Sequence, residues 1–144
     1  MTIQRMDHVG IIVDDLAAAI DFFTELGFEV QGRFSVGGSL VERIVGLEGV
    51  ENDAAMLQTP DGNGRLELIQ FLSPPAEGDA HRPANTRGLR HIAFAVDDVQ
   101  ATLARLRTHG AELVGELVNY QDSYWLCYVR GPNGIIVELA EKID

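Results

Sequence analysis

The chain carries one pattern written twice. Met6-Asp-His-Val-Gly-Ile-Ile-Val-Asp-Asp-Leu16 is matched by Leu89-Arg-His-Ile-Ala-Phe-Ala-Val-Asp-Asp-Val99. His8 and His91 stand 83 residues apart (91 − 8), and the same offset relates Asp14-Asp15 to Asp97-Asp98, Ile20 to Leu103 and Gly27 to Gly110 without a gap. Self-similarity at one fixed spacing marks two copies of a supersecondary unit. A metal-capable side chain held at one place in both apolar strands implies that the copies present equivalent groups to a shared interior.

Periodicity gives each copy its elements. Met6 to Val13 alternates, with Val9, Ile11 and Val13 on one face and His8, Gly10 and Ile12 on the other, which predicts a half-buried strand. Asp14 or Asp15 caps a following helix along which Leu16, Ala19, Ile20 and Phe23 recur at helical spacing until Gly27 ends it. Strand character resumes over Phe28 to Phe34, and Leu40, Val41, Ile44 and Val45 suggest a short helix or turn. Ala54 to Thr59 and Arg65 to Leu72 flank Asp61-Gly-Asn-Gly64, a hairpin by its turn chemistry.

The second copy predicts a strand over Leu89 to Val96, a helix over Asp98 to His109 closed by Gly110, and strands over Ala111 to Val118 and Tyr124 to Arg130. After the turn Gly131-Pro-Asn-Gly134, a last strand runs to Glu141. The fold class expected is α+β, two tandem βαβββ modules that form half-barrels around a concave site. Module one covers about 5–72, the proline-containing connection 73–88, and module two about 89–141, within a single domain spanning 1–144.

The last strands add a second repeated polar group. Glu67 in Leu66-Glu-Leu68 and Glu138 in Val137-Glu-Leu139 are 71 residues apart (138 − 67), so they occupy equivalent places if module one holds 12 extra residues (83 − 71) between its helix and its last strand. Arg33 to Asn52 supplies the room. By parity the four polar groups share the face opposite the larger aliphatics, Ile11, Phe94, Leu68 and Leu139 among them. Two imidazoles and two carboxylates facing inward form a first shell for a divalent transition metal with positions left open for water or substrate. The absence of cysteine donors argues against a structural zinc site.

Composition removes several other classes. A formal charge of −11, with eleven Lys and Arg and no basic stripe, disfavours nucleic acid and anionic membrane surfaces as partners. Cys127 stands alone among apolar neighbours, so no intrachain disulfide forms and an inert buried thiol is expected. No segment has the length of a membrane span, and the first residues lack a signal-peptide core, so a cytoplasmic address is expected.

The motifs around His8, Glu67, His91 and Glu138 also carry a family resemblance. His-Val-Gly-Ile-Ile-Val-Asp-Asp-Leu, Leu-Glu-Leu-Ile, Arg-His-Ile-Ala-Phe-Ala-Val-Asp-Asp and Pro-Asn-Gly-Ile-Ile-Val-Glu-Leu, in paired strand-helix-three-strand modules, resemble the vicinal oxygen chelate superfamily over nearly the whole chain. That group holds glyoxalase I, methylmalonyl-CoA epimerase, extradiol dioxygenases, fosfomycin-inactivating thiol transferases and metal-free bleomycin-binding proteins.

The resemblance to glyoxalase I extends to all four ligands, His8, Glu67, His91 and Glu138, and implies one divalent ion per site: Ni, Co, Zn, Mn or Fe. It does not extend to the glutathione site, whose arginine and asparagine positions hold Ile12 and Phe71 here. The resemblance also implies a homodimer, the usual assembly of these relatives.

A divalent ion with two free positions chelates adjacent oxygens of a carbonyl compound and stabilises the enediolate or enolate left by proton loss. The function expected is therefore a metal-dependent, glyoxalase-like lyase or isomerase on a small carbonyl substrate. Glu138 is the first candidate for the base and Glu67 the second. Tyr124, Tyr128 and Arg130, sent to one face by alternation, are candidates for substrate binding. The alternatives are an iron-dependent extradiol dioxygenase, which would use His8, His91 and Glu138, and a non-catalytic small-molecule or antibiotic-binding resistance protein.

Overall fold

An aspartate turns the first strand of each copy into a helix. In the computed structural model, which describes residues 2–144, Asp15 accepts from the Ala18 amide at 3.0 Å and Asp98 from the Ala101 amide at 2.9 Å. Each carboxylate satisfies one of the amides that a helix start leaves without an intrahelical partner. The chain divides into two compact units, Met1–Gly78 and Asp79–Asp144, with the boundary inside the proline-containing connection.

Unit one runs β1 (Val9–Ile12), α1 (Leu16–Leu26), β2 (Glu29–Gly37), α2 (Ser39–Val45), β3 (Glu51–Gln58) and β4 (Arg65–Ser73). Its sheet has the order β1-β4-β3-β2, with β1 parallel to β4 and the other pairs antiparallel. One face lies under α1, where Ala19, Ile20, Phe22 and Phe23 bury against the sheet that carries Ile11, Ala55, Leu57, Leu66 and Leu68. Phe23 meets Phe22 and Phe28 edge-on, with ring centroids 5.1 and 5.7 Å apart. Gly27, at φ 126°, ends α1 by turning its amide back to the Phe23 and Thr24 carbonyls.

Unit two runs β5 (His91–Ala95), α3 (Val99–Arg107), β6 (Glu112–Leu113), β7 (Val118–Tyr120), β8 (Tyr124–Arg130), a 3-10 turn over Pro132–Gly134 and β9 (Ile136–Lys142). The order β5-β9-β8-β6 mirrors that of unit one, and β7 also pairs with β8. Its core holds Val99, Leu103 and Leu106 of α3 together with Cys127, Val129, Val137 and Leu139 of the sheet. Each unit thus packs one helix, α1 or α3, on one sheet, the α+β plan of the repeat, and unit one adds the short α2, which buries none of its residues.

β2 runs three residues beyond the expected Phe34 and β3 begins three before the expected Ala54, and three other boundaries differ from the periodicity as well. The strand expected from Met6 begins only at Val9, where the parallel ladder with β4 starts opposite Leu66. The second helix stops at Arg107, and Thr108, His109 and Gly110 turn tightly on amide bonds to carbonyls three residues back. The strand expected over Ala111 to Val118 is broken into β6 and β7. Between them five residue steps, Leu113 to Val118, face three on β8, Val129 to Leu126. The surplus bulges out around Gly115, although the Val114 amide still reaches the Tyr128 carbonyl at 2.8 Å.

The twelve surplus residues of module one fall mainly in one place. Between β2 and β3 the chain spends residues 38–50, including α2, whereas β7 and β8 are joined by 121–123. Gln121 and Asp122 make that tight turn at φ 54° and 56°, with the Asn119 side chain accepting from the Asp122 amide. Among the described residues no helix is long and apolar enough to cross a membrane.

Candidate metal centre

Each unit brings one histidine and one glutamate together. In unit one, Glu67 stands in β4 in register with Gly10 of β1 and Met56 of β3, while Leu66 and Leu68 on either side are buried under α1. The carboxylate therefore projects from the open face, where Gly10 offers no side chain to crowd it. His8, one residue before β1, sets Nε2 3.9 Å from Glu67 Oε1.

The ring is held from behind: His8 Nδ1 lies 2.7 Å from Asp7 Oδ2. The guanidinium groups of Arg5 and Arg65 approach the same carboxylate at 3.1 and 3.7 Å. The hydrogen bond with His8, followed by the attraction of Arg65 and Arg5, holds the Asp7 carboxyl below its ordinary pKa against the opposing cost of desolvation.

Unit two repeats the arrangement at shorter range. Glu138 stands in β9 in register with Ala93 of β5 and Tyr128 of β8, and Val137 and Leu139 beside it are buried. His91, the first residue of β5, sets Nε2 3.3 Å from Glu138 Oε1. Its other nitrogen faces the Tyr128 hydroxyl at 3.4 Å, and the two rings are tilted by 36° with centroids 4.9 Å apart. A small residue beside the glutamate, Gly10 or Ala93, is common to both pairs.

The donor chemistry fits a divalent ion. Two nitrogen or oxygen donors at about 2.1 Å from one ion stand about 3.0–3.4 Å apart, for bond angles between octahedral and tetrahedral. The His91–Glu138 separation of 3.3 Å falls in that range, and the His8–Glu67 separation of 3.9 Å exceeds it by roughly a side-chain adjustment. All four side chains remain between 20% and 39% exposed, open enough to be reached by an ion and its substrate. Among the described residues no single group of three or more His, Cys, Asp or Glu is assembled. Each unit supplies a pair.

Alternation along β8 is as expected. Cys127 and Val129 face the core, and burial pushes the Cys127 thiol above its ordinary pKa, which suits an inert group. Tyr124, Leu126, Tyr128 and Arg130 take the other face, and the register sets Tyr128 beside Glu138. Arg130 has a second engagement: its terminal nitrogens donate to the Gly134 carbonyl at 2.8 Å and the Arg82 carbonyl at 2.7 Å. It ties the last turn to the connection within unit two.

Sequence reasoning missed one repeated device. The Gln70 side chain accepts from the Leu16 amide at 3.0 Å, and the Glu141 side chain accepts from the Val99 amide at 2.7 Å. In each unit the strand that carries the open-face glutamate thus also fixes the start of the helix, three residues further on. The signal was available, since Gln70 and Glu141 obey the same 71-residue offset (141 − 70) as Glu67 and Glu138.

Two half-barrel sheets with matched His–Glu pairs define a class, and comparison with known proteins bears on the same point. Residues 5–139 match the model of the Glyoxalase/Bleomycin resistance protein/Dioxygenase superfamily, and the chain belongs to that family. It is 32% identical over 143 residues to the uncharacterised protein YwbC of Bacillus subtilis, covering 96% of this chain and 98% of that one. It is 30% identical over 147 residues to an ethylmalonyl-CoA/methylmalonyl-CoA epimerase of Cereibacter sphaeroides, again over 96% and 98%.

Among solved structures, a glyoxalase family protein from Bacillus cereus superposes with a TM-score of 0.96 at 44% identity, over 100% of this chain and 97% of that one. The proteins it is similar to differ in reaction, an epimerase, a glyoxalase I of Zea mays and the fosfomycin resistance protein FosX of Listeria monocytogenes among them, and the last was solved in complex with Mn(II).

Proposed function

We propose that this chain is a metal-dependent lyase or isomerase of the glyoxalase type, acting on a small carbonyl compound. The observation that carries the reading is the pair of histidine–glutamate contacts at repeat-equivalent positions, each with Nε2 turned toward a carboxylate oxygen. In this reading His8, Glu67, His91 and Glu138 are the donor set for one divalent ion per site, of the Ni, Co, Zn, Mn or Fe class. Such an ion supplies positive charge against the negative charge that develops on carbonyl oxygens when the neighbouring carbon loses its proton.

The remaining work belongs to the chain. Glu138 is the base: its carboxylate takes the proton from carbon and in an isomerisation returns it to the neighbouring carbon, whereas in an epimerisation Glu138 keeps that proton and a second, protonated group delivers its own to the opposite face. Glu67 is the second candidate for that role. Tyr128, registered against Glu138, stands beside the acid-base group, with Arg130 on the same face and Tyr124 four residues further along it, opposite Lys142. In unit one the open face carries Ile12, Ile69 and Phe71 in line with Glu67. That apolar track suits a short hydrocarbon or thioester flank and offers no charged partner for glutathione.

The 30% identity to the acyl-CoA epimerase favours the enolate of an acyl thioester as the first substrate class to try. We further infer that the working form is a cytoplasmic homodimer without nucleic-acid or membrane partners.

Metal analysis of protein purified without chelator, followed by calorimetric titration with Co²⁺, tests the reading. Wild type should hold one equivalent per site, His91→Ala should lose affinity by more than about 100-fold, and solvent deuterium should enter the carbon acid of an accepted thioester only in wild type. If wild type neither held nor took up a stoichiometric ion, the assignment would fail.

A further inference from the structure

The two histidines are held by different means, and the difference points to a residue that the donor set does not include. We propose that Asp7 is the positioning residue of His8: its carboxylate takes the Nδ1 hydrogen and thereby turns the Nε2 lone pair toward Glu67. The inference rests on the metal reading of the four donors and adds to it the group that prepares one of them.

The geometry carries the assignment. An ionised carboxylate only accepts hydrogen bonds, so the 2.7 Å contact between Asp7 Oδ2 and His8 Nδ1 makes Nδ1 the donor. Nε2, 3.9 Å from Glu67 Oε1, is then the nitrogen that faces the site. Asp7 is itself fixed from two sides, by Arg5 at 3.1 Å on Oδ1 and by Arg65 at 3.7 Å on Oδ2. Arg65 stands in β4 two residues before Glu67, so one strand presents the carboxylate ligand and, through Arg65 and Asp7, steadies the imidazole opposite it.

His8 needs this support because of where it stands. It precedes the first ladder pair of β1, Val9 with Leu66, so the sheet does not fix its backbone. His91 lies inside β5 in register with Ile136 and is held by the ladder itself. The repeat shows the same division. At the positions equivalent to Asp7 and Arg65, unit two has Arg90 (7 + 83) and Ile136 (65 + 71), neither of which can accept from an imidazole. His91 Nδ1 meets instead the Tyr128 hydroxyl, at a longer 3.4 Å. A carboxylate behind a metal-binding imidazole sets ring orientation and tautomer, and removing such a partner typically costs 10- to 100-fold in metal affinity.

The test begins on metal-free protein. Nitrogen-15 long-range correlation spectra of wild type should show His8 as a single Nδ1–H tautomer. Asp7→Ala should turn it into a tautomer mixture, and Asp7→Asn, which keeps an acceptor oxygen, should restore the wild-type pattern. Titration with Co²⁺ should then give an affinity about 10- to 100-fold weaker for Asp7→Ala and closer to wild type for Asp7→Asn.

Unchanged His8 resonances together with unchanged Co²⁺ affinity in Asp7→Ala overturn the proposal. If wild type itself takes up no Co²⁺, the metal reading falls and Asp7 is judged by the ring spectra alone, where a single tautomer lost in Asp7→Ala supports it and an unaltered one overturns it. Should Asp7→Ala not fold, Arg65→Gln, which loosens Asp7 without removing it, is read in the same spectra with broadened or mixed His8 signals expected.

Discussion

Units one and two share a plan down to single residues and part company in how they connect it. Helix caps (Asp15, Asp98), helix-start acceptors (Gln70, Glu141), buried strand leucines (Leu68, Leu139) and open-face glutamates (Glu67, Glu138) all keep their repeat offsets. The connection after the edge strand spends residues 38–50 in one unit and 121–123 in the other, and the edge strand is one element with a register shift between Val30 and Gly32 in unit one and two separate strands in unit two. What stays constant either fills the space between helix and sheet or terminates backbone groups there. What varies lies at edges and turns, where solvent satisfies whatever the chain does not.

That division can be broken in three graded ways. Leu68→Ala and Leu139→Ala each delete a side chain with no exposed surface, and each should cost about 2–5 kcal/mol by urea unfolding. The comparison requires the two costs to be similar. If one were near zero, the helix-on-sheet cores would not be equivalent.

Gly134→Ala should come next, at about 1–3 kcal/mol. Its φ is 77°, and an added Cβ would stand 2.7 Å from His81 Cβ and 2.9 Å from His81 Cα, so backbone would have to move. At the equivalent position in unit one stands Asn63 (134 − 71), and Asn63→Ala should cost measurably less. Equal midpoints would mean that the connection does not bear on the turn.

The smallest effect is expected from the caps. Asp15→Ala and Asp98→Ala should each lower stability by about 1 kcal/mol, and Asp→Asn at either site by less, because the side-chain acceptor remains. Thermal unfolding of the four variants checks whether the two helix starts, which look alike, are alike in energy.

Much of this was legible in the sequence because two local rules coincide with one long-range one. Alternation assigns a face to every strand residue, so burial of Leu66, Leu68, Val137 and Leu139 necessarily sends Glu67 and Glu138 to the open side. The caps and the Asp61 to Gly64 hairpin are equally local, with acceptor and amide only a few residues apart. The break between β6 and β7 was not legible, since a bulge depends on how many residues the partner strand offers. Nor was the engagement of Arg130 with the Arg82 and Gly134 carbonyls, which joins groups 48 and 4 residues away.

By itself, then, the sequence determined the repeat, the faces of the strands and the four polar groups, His8, Glu67, His91 and Glu138, that the repeat sets at equivalent places, because offset and parity are properties of the chain. The tertiary structure decided which atoms of those groups meet. That Nε2 of both histidines faces a carboxylate, that Asp7 braces one ring while Tyr128 stands behind the other, and that Gln70 and Glu141 bind helix starts all follow from strand register and rotamer. Strand pairing brings together residues far apart in the sequence, and only that juxtaposition fixes a distance between their side chains.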